Sequence, residues 1–203
     1  MRVKSEAKRN SILQAALTVF QRHGFEGSAM DEIARQAGCS KATLYSYYPS
    51  KEALFMAAMD AHCASRFTDA FANLRYDGNL EASLQDFGLA LLPTLLADDL
   101  LAMRRSVMAE AGSSPVGKLF YERGPKQGQG RLADFLQTQM QAGRLRQADA
   151  WRCARHLLSL LEGDFLMLAM LDVSPRPTRE VLAEHVAEVV AVFLCAYLPT
   201  ANA

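Results

Sequence analysis

Apolar residues recur at helical spacing along almost the whole chain, and this periodicity constrains the fold more than any other sequence feature. Near the N-terminus, Ile12, Leu13, Ala16, Leu17 and Phe20 follow the i, i+3, i+4 spacing of a helix that buries one face. Sustained alternation of polar and apolar residues, which is typical of half-buried strands, is not found. The sequence therefore predicts an all-α fold.

Turn and capping residues divide the first part of the chain into short helices. The first helix is predicted to end at Gly24, and Ser28 with Asp31 is predicted to cap the second. Ser40 is predicted to cap a third helix that Pro49 ends, and a long fourth helix follows. Later helices are predicted over residues 80–97, 99–111, 131–142, 149–171 and 178–197, with breaks at GSSP and across ERGPKQGQG.

Composition excludes several classes of protein. Half of the residues are hydrophobic and 22% are charged, which favours a packed core over disorder. Charged residues and a proline interrupt the most apolar stretches, so none reaches the ~20 apolar residues that cross a bilayer. The N-terminus has no apolar run of signal-peptide length, and the four cysteines stand far apart without metal-ligand spacing. We therefore expect a cytoplasmic protein with reduced thiols, no metal and no membrane partner.

The zero net charge conceals an asymmetry between the two ends of the chain. Residues 1–55 contain eight Lys/Arg and five Asp/Glu, and the remainder contains fourteen and seventeen. The N-terminal part is therefore basic by three charges and the rest is acidic by three. A basic segment on an acidic protein is a feature of chains that bind nucleic acid locally.

The stretch CSKATLYSYYPSKEAL, residues 39–54, combines three tyrosines with two lysines. Three short helices in this part of the chain match a helix-turn-helix unit, whose second helix enters the major groove. Lysines suit phosphates, and a tyrosine offers a hydroxyl to phosphate and a ring to a thymine methyl. Consecutive positions from 45 to 48 cannot all face one core, so Tyr45 and Tyr47 are predicted to face the groove. For Tyr48, a groove contact and packing on the first helix are both open.

These residues resemble a known family. The continuous segment AALTVFQRHGFEGSAMDEIARQAGCSKATLYSYYPSKEALF closely resembles the DNA-binding head of the TetR (tetracycline repressor) family of transcriptional regulators. The resemblance implies a three-helix head, residues 1–52, that extends into the helix starting near residue 51. It also implies a larger helical-bundle body for ligand binding and dimerisation, residues 53–203, and a homodimer that binds a partly palindromic double-stranded operator.

The resemblance also assigns the DNA contacts. Groove and phosphate contacts carry over to Lys41, Ala42, Thr43, Tyr45, Ser46, Tyr47 and Lys51. The predicted DNA-binding set further includes Ser28, Ala29, Met30, Ser40 and Tyr48. Ala29 departs from the family, because a serine or threonine often contacts phosphate at this position.

The body from about residue 100 resembles the AefR-like subgroup of these repressors. Methionine and aromatic side chains suit an adaptable apolar pocket, although most such side chains in proteins are simply core. The predicted pocket residues are Met103, Arg104, Met108, Phe120, Tyr121, Trp151, Phe165, Met167 and Met170. The apolar stripes of the last two long helices are predicted to form the dimer interface. The predicted interface residues are Leu157, Leu158, Leu161, Val186, Val189, Val190, Phe193 and Tyr197.

The leading hypothesis is a homodimeric repressor that a small, largely apolar effector releases from its operator. The alternative is a DNA-bound dimer whose body recruits a protein partner and has no effector. An enzyme is disfavoured, because the sequence shows no catalytic set, phosphate-binding loop or cofactor fingerprint. We therefore expect no catalytic residues, no metal and no cofactor.

Overall fold

The computed structural model describes residues 5–199, and for residues 63–66 it describes the backbone alone. Within residues 5–199 the chain is helical and contains no strand, which confirms the predicted all-α fold. The helices are α1 (Glu6–His23), α2 (Met30–Gln36), α3 (Lys41–Tyr47), α4 (Lys51–Ala72), α5 (Leu80–Leu95), α6 (Asp98–Glu110), α7 (Val116–Arg123), α8 (Pro125–Gln141), α9 (Ala150–Glu162), α10 (Leu166–Leu171) and α11 (Arg179–Tyr197).

The chain divides into two compact units, each of which is discontinuous in sequence. The first comprises the chain up to Ser65 together with Ala102–Gly124. The second comprises Arg66–Leu101 together with the chain from Pro125 onward. The first unit therefore contains most of α6 and all of α7 in addition to the predicted head. The boundary between residues 52 and 53 stays a prediction.

Three phenylalanines lie at the centre of the first unit. Phe20 is on α1, Phe25 follows α1, and Phe55 is on α4. The centroid of the Phe55 ring lies 5.0 Å from that of Phe20 and 5.2 Å from that of Phe25, in the edge-on geometry that aromatic pairs favour. The two helices of the helix-turn-helix each add a fully buried side chain, Ile33 on α2 and Leu44 on α3. This core fixes the orientation of α3.

The core of the second unit lies between α5, α8, α9 and α11. Gly88 allows α5 to approach the neighbouring helices closely. A Cβ atom at this position would lie 2.8 Å from Cγ1 of Val186 on α11 and 3.1 Å from Cδ2 of Leu161 on α9. Both neighbours are completely buried and have little room to move. The close packing of the three helices therefore depends on a glycine at position 88.

We expect Gly88→Ala to lower the free energy of unfolding by about 1–3 kcal/mol, because an added methyl group overfills a packed core. Gly128→Ala is the matched control, since Gly128 also lies inside a helix of the second unit. There a Cβ would meet the Phe71 ring at an ordinary 3.5 Å, so the gain in helix propensity, up to about 1 kcal/mol, should stabilise the protein. Denaturant unfolding of both variants measures the contrast, and equal effects would contradict this account of Gly88.

The predicted interruption across ERGPKQGQG is wrong, because Gly124 alone separates α7 from α8. Pro125 begins α8, where its fixed φ and missing N–H are tolerated. Gly128 and Gly130 lie inside α8, where large rings cover them. A Cβ at Gly130 would lie 3.4 Å from the Trp151 ring. Tertiary contacts therefore maintain a helix through residues that sequence alone assigns to a break.

The helix predicted over residues 149–171 is two helices, because α9 ends at Glu162 and α10 begins at Leu166. The end of α9 has a partner from α11. Nε2 of His185 lies 3.0 Å from the carbonyl oxygen of Leu161, to which it donates. Phe165 packs edge-on against the His185 ring, at 4.8 Å between centroids. These contacts stabilise the break between the two helices.

Most of the residues predicted for the dimer interface are buried within the single chain, and their place in an interface stays a prediction. The apolar stripes of α9 and α11 pack against each other and against α5 and α8. Leu158 is partly buried, and the others are less than 9% exposed. These are Leu157, Leu161, Val186, Val189, Val190, Phe193 and Tyr197. The large exposed apolar residues of the same two helices are Trp151, Leu160, Val181 and Val192.

Candidate nucleic-acid interface

Helix α3 presents one polar face to solvent. The Oγ atom of Ser40 accepts a hydrogen bond from the backbone N–H of Thr43 at 3.1 Å and so caps the helix, as predicted from the sequence. Leu44 anchors the opposite face in the core with no exposed surface. Four side chains on the remaining surface are exposed, and they lie at i, i+1, i+4 and i+5. These are Lys41, Ala42, Tyr45 and Ser46.

Lys41 forms an ion pair between the two helices of the helix-turn-helix. Its Nζ atom lies 2.8 Å from Oδ1 of Asp31 on α2. The hydrogen bond to this carboxylate raises the pKa of Lys41. Both side chains are more than half exposed, so the pair is open to competition from a phosphate group.

The three tyrosines predicted near DNA have different environments. Tyr45 is 41% exposed on the outer face of α3. Tyr47 is half-buried, and its hydroxyl accepts a hydrogen bond from the backbone N–H of Ser5 at 3.0 Å. Tyr48 is 7% exposed, and its hydroxyl accepts a hydrogen bond from Nε of Arg9 on α1 at 3.4 Å. Packing on α1 is therefore the arrangement found for Tyr48, and a groove contact does not fit its burial.

The residues before α2 also differ from expectation. Ser28 does not cap the helix, because its hydroxyl donates to the backbone carbonyls of Val19 and Gly24 in the interior of the first unit. The N-cap residue is Ala29, which makes no side-chain capping bond. Met30 is 8% exposed. Of these three predicted DNA contacts, Ala29 alone has an exposed side chain.

Lys51, at the start of α4, binds the turn between α1 and α2, residues 24–28. Its Nζ atom donates to the backbone carbonyls of Glu26 and Ser28, each at 3.3 Å. It also lies 3.9 Å from the Glu26 carboxylate and 4.5 Å from the centroid of the Phe25 ring. The side chain keeps 22% of its surface exposed. Lys51 therefore fixes the turn, and part of its side chain still faces solvent.

Glu110, at the end of α6, holds the same turn from another direction, and sequence reasoning missed it. Its Oε1 atom accepts a hydrogen bond from the N–H of Phe25 at 2.8 Å, and its Oε2 atom accepts one from the N–H of Glu26 at 2.9 Å. The chain turns at Gly24 with φ of 72°, and a Cβ there would collide with the Glu110 carboxylate. Glu26 and Glu110 are 84 positions apart, so there is no local sequence signal for this contact.

The predicted pocket residues occupy several environments. In the first unit, Met103 is buried, Arg104 and Phe120 are half-buried, and Met108 and Tyr121 are exposed. Met103 lies beside a small cavity between α1, α4 and α6, which Leu17, Phe20, Phe55 and Met59 also line. In the second unit, Phe165 and Met170 are half-buried, whereas Trp151 and Met167 are exposed. The ligand pocket stays a prediction.

The described part of the chain contains neither a metal-binding cluster nor a membrane-spanning helix. No group of three or more His, Cys, Asp or Glu side chains among the described residues is placed to hold a metal ion. Within the same residues, no helix combines the length and apolar character needed to cross a membrane. Cys153 is buried, and burial raises the pKa of its thiol. A thiol with a raised pKa is a poor nucleophile at neutral pH.

Two family models match the chain. Residues 12–58 match the model described as bacterial regulatory proteins, tetR family. Residues 82–199 match the model described as AefR-like transcriptional repressor, C-terminal domain. The two matched ranges include α2 and α3 and the helices of the second unit that form its core.

Curated relatives resemble this chain over part of its length. The HTH-type transcriptional regulator RutR of Escherichia coli K12 is 49% identical over 53 residues, which cover 26% of this chain and 25% of RutR. The DNA-binding transcriptional repressor TetR of Mycobacteroides abscessus is 34% identical over 131 residues, which cover 57% of this chain and 67% of that repressor. The chain thus matches about a quarter of the length of the first of these relatives.

Solved structures resemble the chain over nearly its whole length. The flavonoid-responsive regulator FrrA has a TM-score of 0.86 and 35% identity, covering 97% of this chain and 100% of FrrA. A TetR-family structure from Mesorhizobium loti has a TM-score of 0.84 and 28% identity, covering 98% of this chain and 100% of that chain. Because the AefR-like model spans more than half of the sequence and FrrA matches almost all of it, this chain belongs to the TetR family of transcriptional regulators.

Proposed function

We propose that the protein is a homodimeric repressor that binds a partly palindromic operator through α3. The exposed polar face of α3, opposite the buried Leu44, is the observation that supports this most directly. Lys41 offers donors to phosphates or base edges, and Tyr45 offers a ring and a hydroxyl. The Ser46 hydroxyl donates to the Thr43 carbonyl at 2.7 Å and would have to rotate toward DNA to donate to a phosphate. Thr43 is half-buried, and its Oγ1 atom lies 2.9 Å from Oγ of Ser40. Both hydroxyls flank the same face and belong to the proposed contact set.

The contact set also includes groups beside α3. Ala29 and the exposed part of Lys51 are proposed to lie near the phosphate backbone, with Lys51 keeping its bonds to the preceding turn. Tyr47 is proposed to contact DNA through the exposed part of its ring, because its hydroxyl is bonded to Ser5. Ser28, Met30 and Tyr48 are left out because their side chains are buried.

Dimerisation is proposed to use the outward faces of α9 and α11. These faces carry exposed apolar side chains, among them Leu160 and Val192, at 39% and 51% exposure. Ala187 and Ala191 are also exposed on α11, and they are small enough for two helices to approach closely. Two such helices from each chain would form an isologous four-helix contact, which sets the spacing of two α3 helices at successive major grooves.

The effector is proposed to be a small, largely apolar aromatic molecule that lowers operator affinity by binding a different conformation. The 35% identity to the flavonoid-responsive FrrA supports a flavonoid-like compound as the first candidate. The predicted pocket side chains, rich in methionine and aromatic residues, suit such a ligand. A dimer whose body recruits a protein partner and has no effector is the alternative outcome of the test.

Selection of binding sites from random duplex DNA with the purified protein tests this function. We expect an enriched near-palindrome with half-sites about one helical turn apart. Recovery of no preferred sequence at low salt with folded protein would contradict the proposal. Adding a flavonoid to the complex with the selected duplex then separates the two alternatives. Release of the DNA would support the effector, and an unchanged complex would favour the protein partner.

We expect Tyr45→Ala to weaken binding to the selected operator about tenfold, as loss of one base-edge contact does. The fold should be unaffected, because the side chain is exposed and Leu44 remains in place. Tyr45→Phe separates the ring from the hydroxyl, since it keeps the apolar contact and removes the hydrogen bond. Titration of labelled operator measures all three proteins. Wild-type affinity in Tyr45→Ala would remove this residue from the groove.

A further inference from the structure

The first turn of α1 contacts the α2–α3 turn through a lysine. Nζ of Lys8 donates to the carbonyl oxygen of Ala37 at 2.9 Å and to that of Gly38 at 2.8 Å. Ser11, one turn further along α1, adds a third hydrogen bond from its hydroxyl to the Ala37 carbonyl at 3.3 Å. Two of the three donors of the ammonium group are thus used inside the protein. The positive charge of Lys8 is therefore used to bind the backbone carbonyls of the α2–α3 turn.

The two carbonyls occupy a position where a cation is particularly effective. Ala37 is the C-cap of α2, and the last carbonyls of a helix have no partner within the helix and carry partial negative charge. Gly38 has φ of 60°, so the chain reverses there before α3 begins at Lys41. The ammonium group therefore offsets the partial negative charge at the C-terminal end of α2. It does so at the residues whose backbone sets the direction of α3.

The same turn of α1 also contacts the other end of α3. The N–H of Ser5 donates to the Tyr47 hydroxyl at 3.0 Å, and Nε of Arg9 donates to the Tyr48 hydroxyl at 3.4 Å. Lys8 lies between these two residues in sequence. Contacts from one helical turn thus reach both the residues before α3 and the residues at its end, which restricts how α3 can shift along its axis.

We propose that Lys8 is a positioning residue for operator recognition, whose ammonium group orients α3 and does not neutralise a phosphate. This inference rests on the proposed DNA-binding function. It separates Lys8 from Lys41, whose side chain lies on the exposed face of α3 itself. A positioning residue affects binding to the correct sequence, whereas a phosphate ligand affects binding to every sequence.

The test compares Lys8→Met with Arg22→Met. Both changes remove one positive charge from α1, and Arg22 is exposed in the last turn, at the opposite end of the helix. Affinity is measured for the selected operator and for a random duplex, each over a range of salt concentrations. Amide hydrogen exchange is measured without DNA, at Gly38 and Cys39 and at reference amides in α5.

For Lys8→Met we expect operator affinity about tenfold lower, the scale of losing one charged hydrogen bond. The affinity of Lys8→Met for the random duplex and its salt slope should change no more than those of Arg22→Met. Relative to the wild type, amide exchange in Lys8→Met should become faster at Gly38 and Cys39 and stay unchanged at the α5 amides. A salt slope lower by about one, with equal weakening on both duplexes, would mean that Lys8 neutralises a phosphate and would overturn the proposal. Unchanged affinity and exchange would overturn it too.

The two readouts separate this inference from the proposed function. If the wild-type protein prefers no sequence, the proposed function fails before any variant is compared. The exchange data would then still decide whether Lys8 holds the α2–α3 turn. If the wild type is selective and Lys8→Met is equally selective, the function stands and the role of Lys8 falls.

Discussion

Val192→Glu is expected to convert the proposed dimer into a monomer and to abolish specific operator binding. Val192 is 51% exposed on α11 in the single chain, so a glutamate there does not disturb the core. In the proposed dimer it would place a carboxylate from each chain in an apolar contact, where burial of an unpaired charge is costly. Loss of the second half-site contact should reduce operator affinity by more than about a hundredfold.

Light scattering gives the first readout, as a fall from twice the 22.4 kDa chain mass to the mass of one chain. Val173→Glu is the matched control, because Val173 is 64% exposed in the loop after α10. The same change at Val189 would unfold the chain, since Val189 is 6% exposed in the core. A dimer that survives Val192→Glu would exclude this part of α11 from the interface.

Glu110→Ala is expected to destabilise the first unit by about 2–3 kcal/mol and to weaken operator binding with it. The change leaves the amides of Phe25 and Glu26 without the carboxylate that accepts from both, and hydrogen bonds to charged groups contribute about 1.5–3 kcal/mol each. Partial exposure of the side chain lets water replace some of this energy, so the expected total is below the sum of two such bonds.

Glu110→Gln is the graded control. Its amide oxygen can accept from one N–H, but its NH₂ group faces the other, so an intermediate loss is expected. Thermal unfolding and operator titration measure both variants. Stability equal to that of the wild type in Glu110→Ala would show that solvent satisfies these amides as well as the carboxylate does.

The all-helical fold and the start of α3 were predictable, because caps and periodicity are local signals. Ser40 caps α3 and Leu44 fills the core as the sequence indicates. The exposed face of α11 was not predictable. Val189 and Val192 lie three positions apart on one helix, and nothing in their identity tells which one is buried and which one faces solvent. That choice is made by the helices packed around α11.

Long-range contacts explain the remaining differences. Gly128 and Gly130 favour a break by local propensity, yet the rings of Phe71 and Trp151 hold them within α8. Tyr48 and Ser28 have side chains suited to DNA, but Arg9 and the Val19 carbonyl bind them in the interior. Glu110 acts on a turn that is distant in sequence. In each case the local sequence is compatible with two arrangements, and tertiary packing selects between them.

The discontinuity of the first unit has a consequence for regulator engineering. The simplest design for a chimeric repressor joins the N-terminal segment of one protein to the remainder of another, with a single crossover near the start of α4. Such a crossover would transplant the turn at residues 24–28 without the carboxylate from α6 that accepts its amides. A transplant that also carries Ala102–Gly124, or at least a glutamate at position 110, should give a better-folded hybrid than the single crossover.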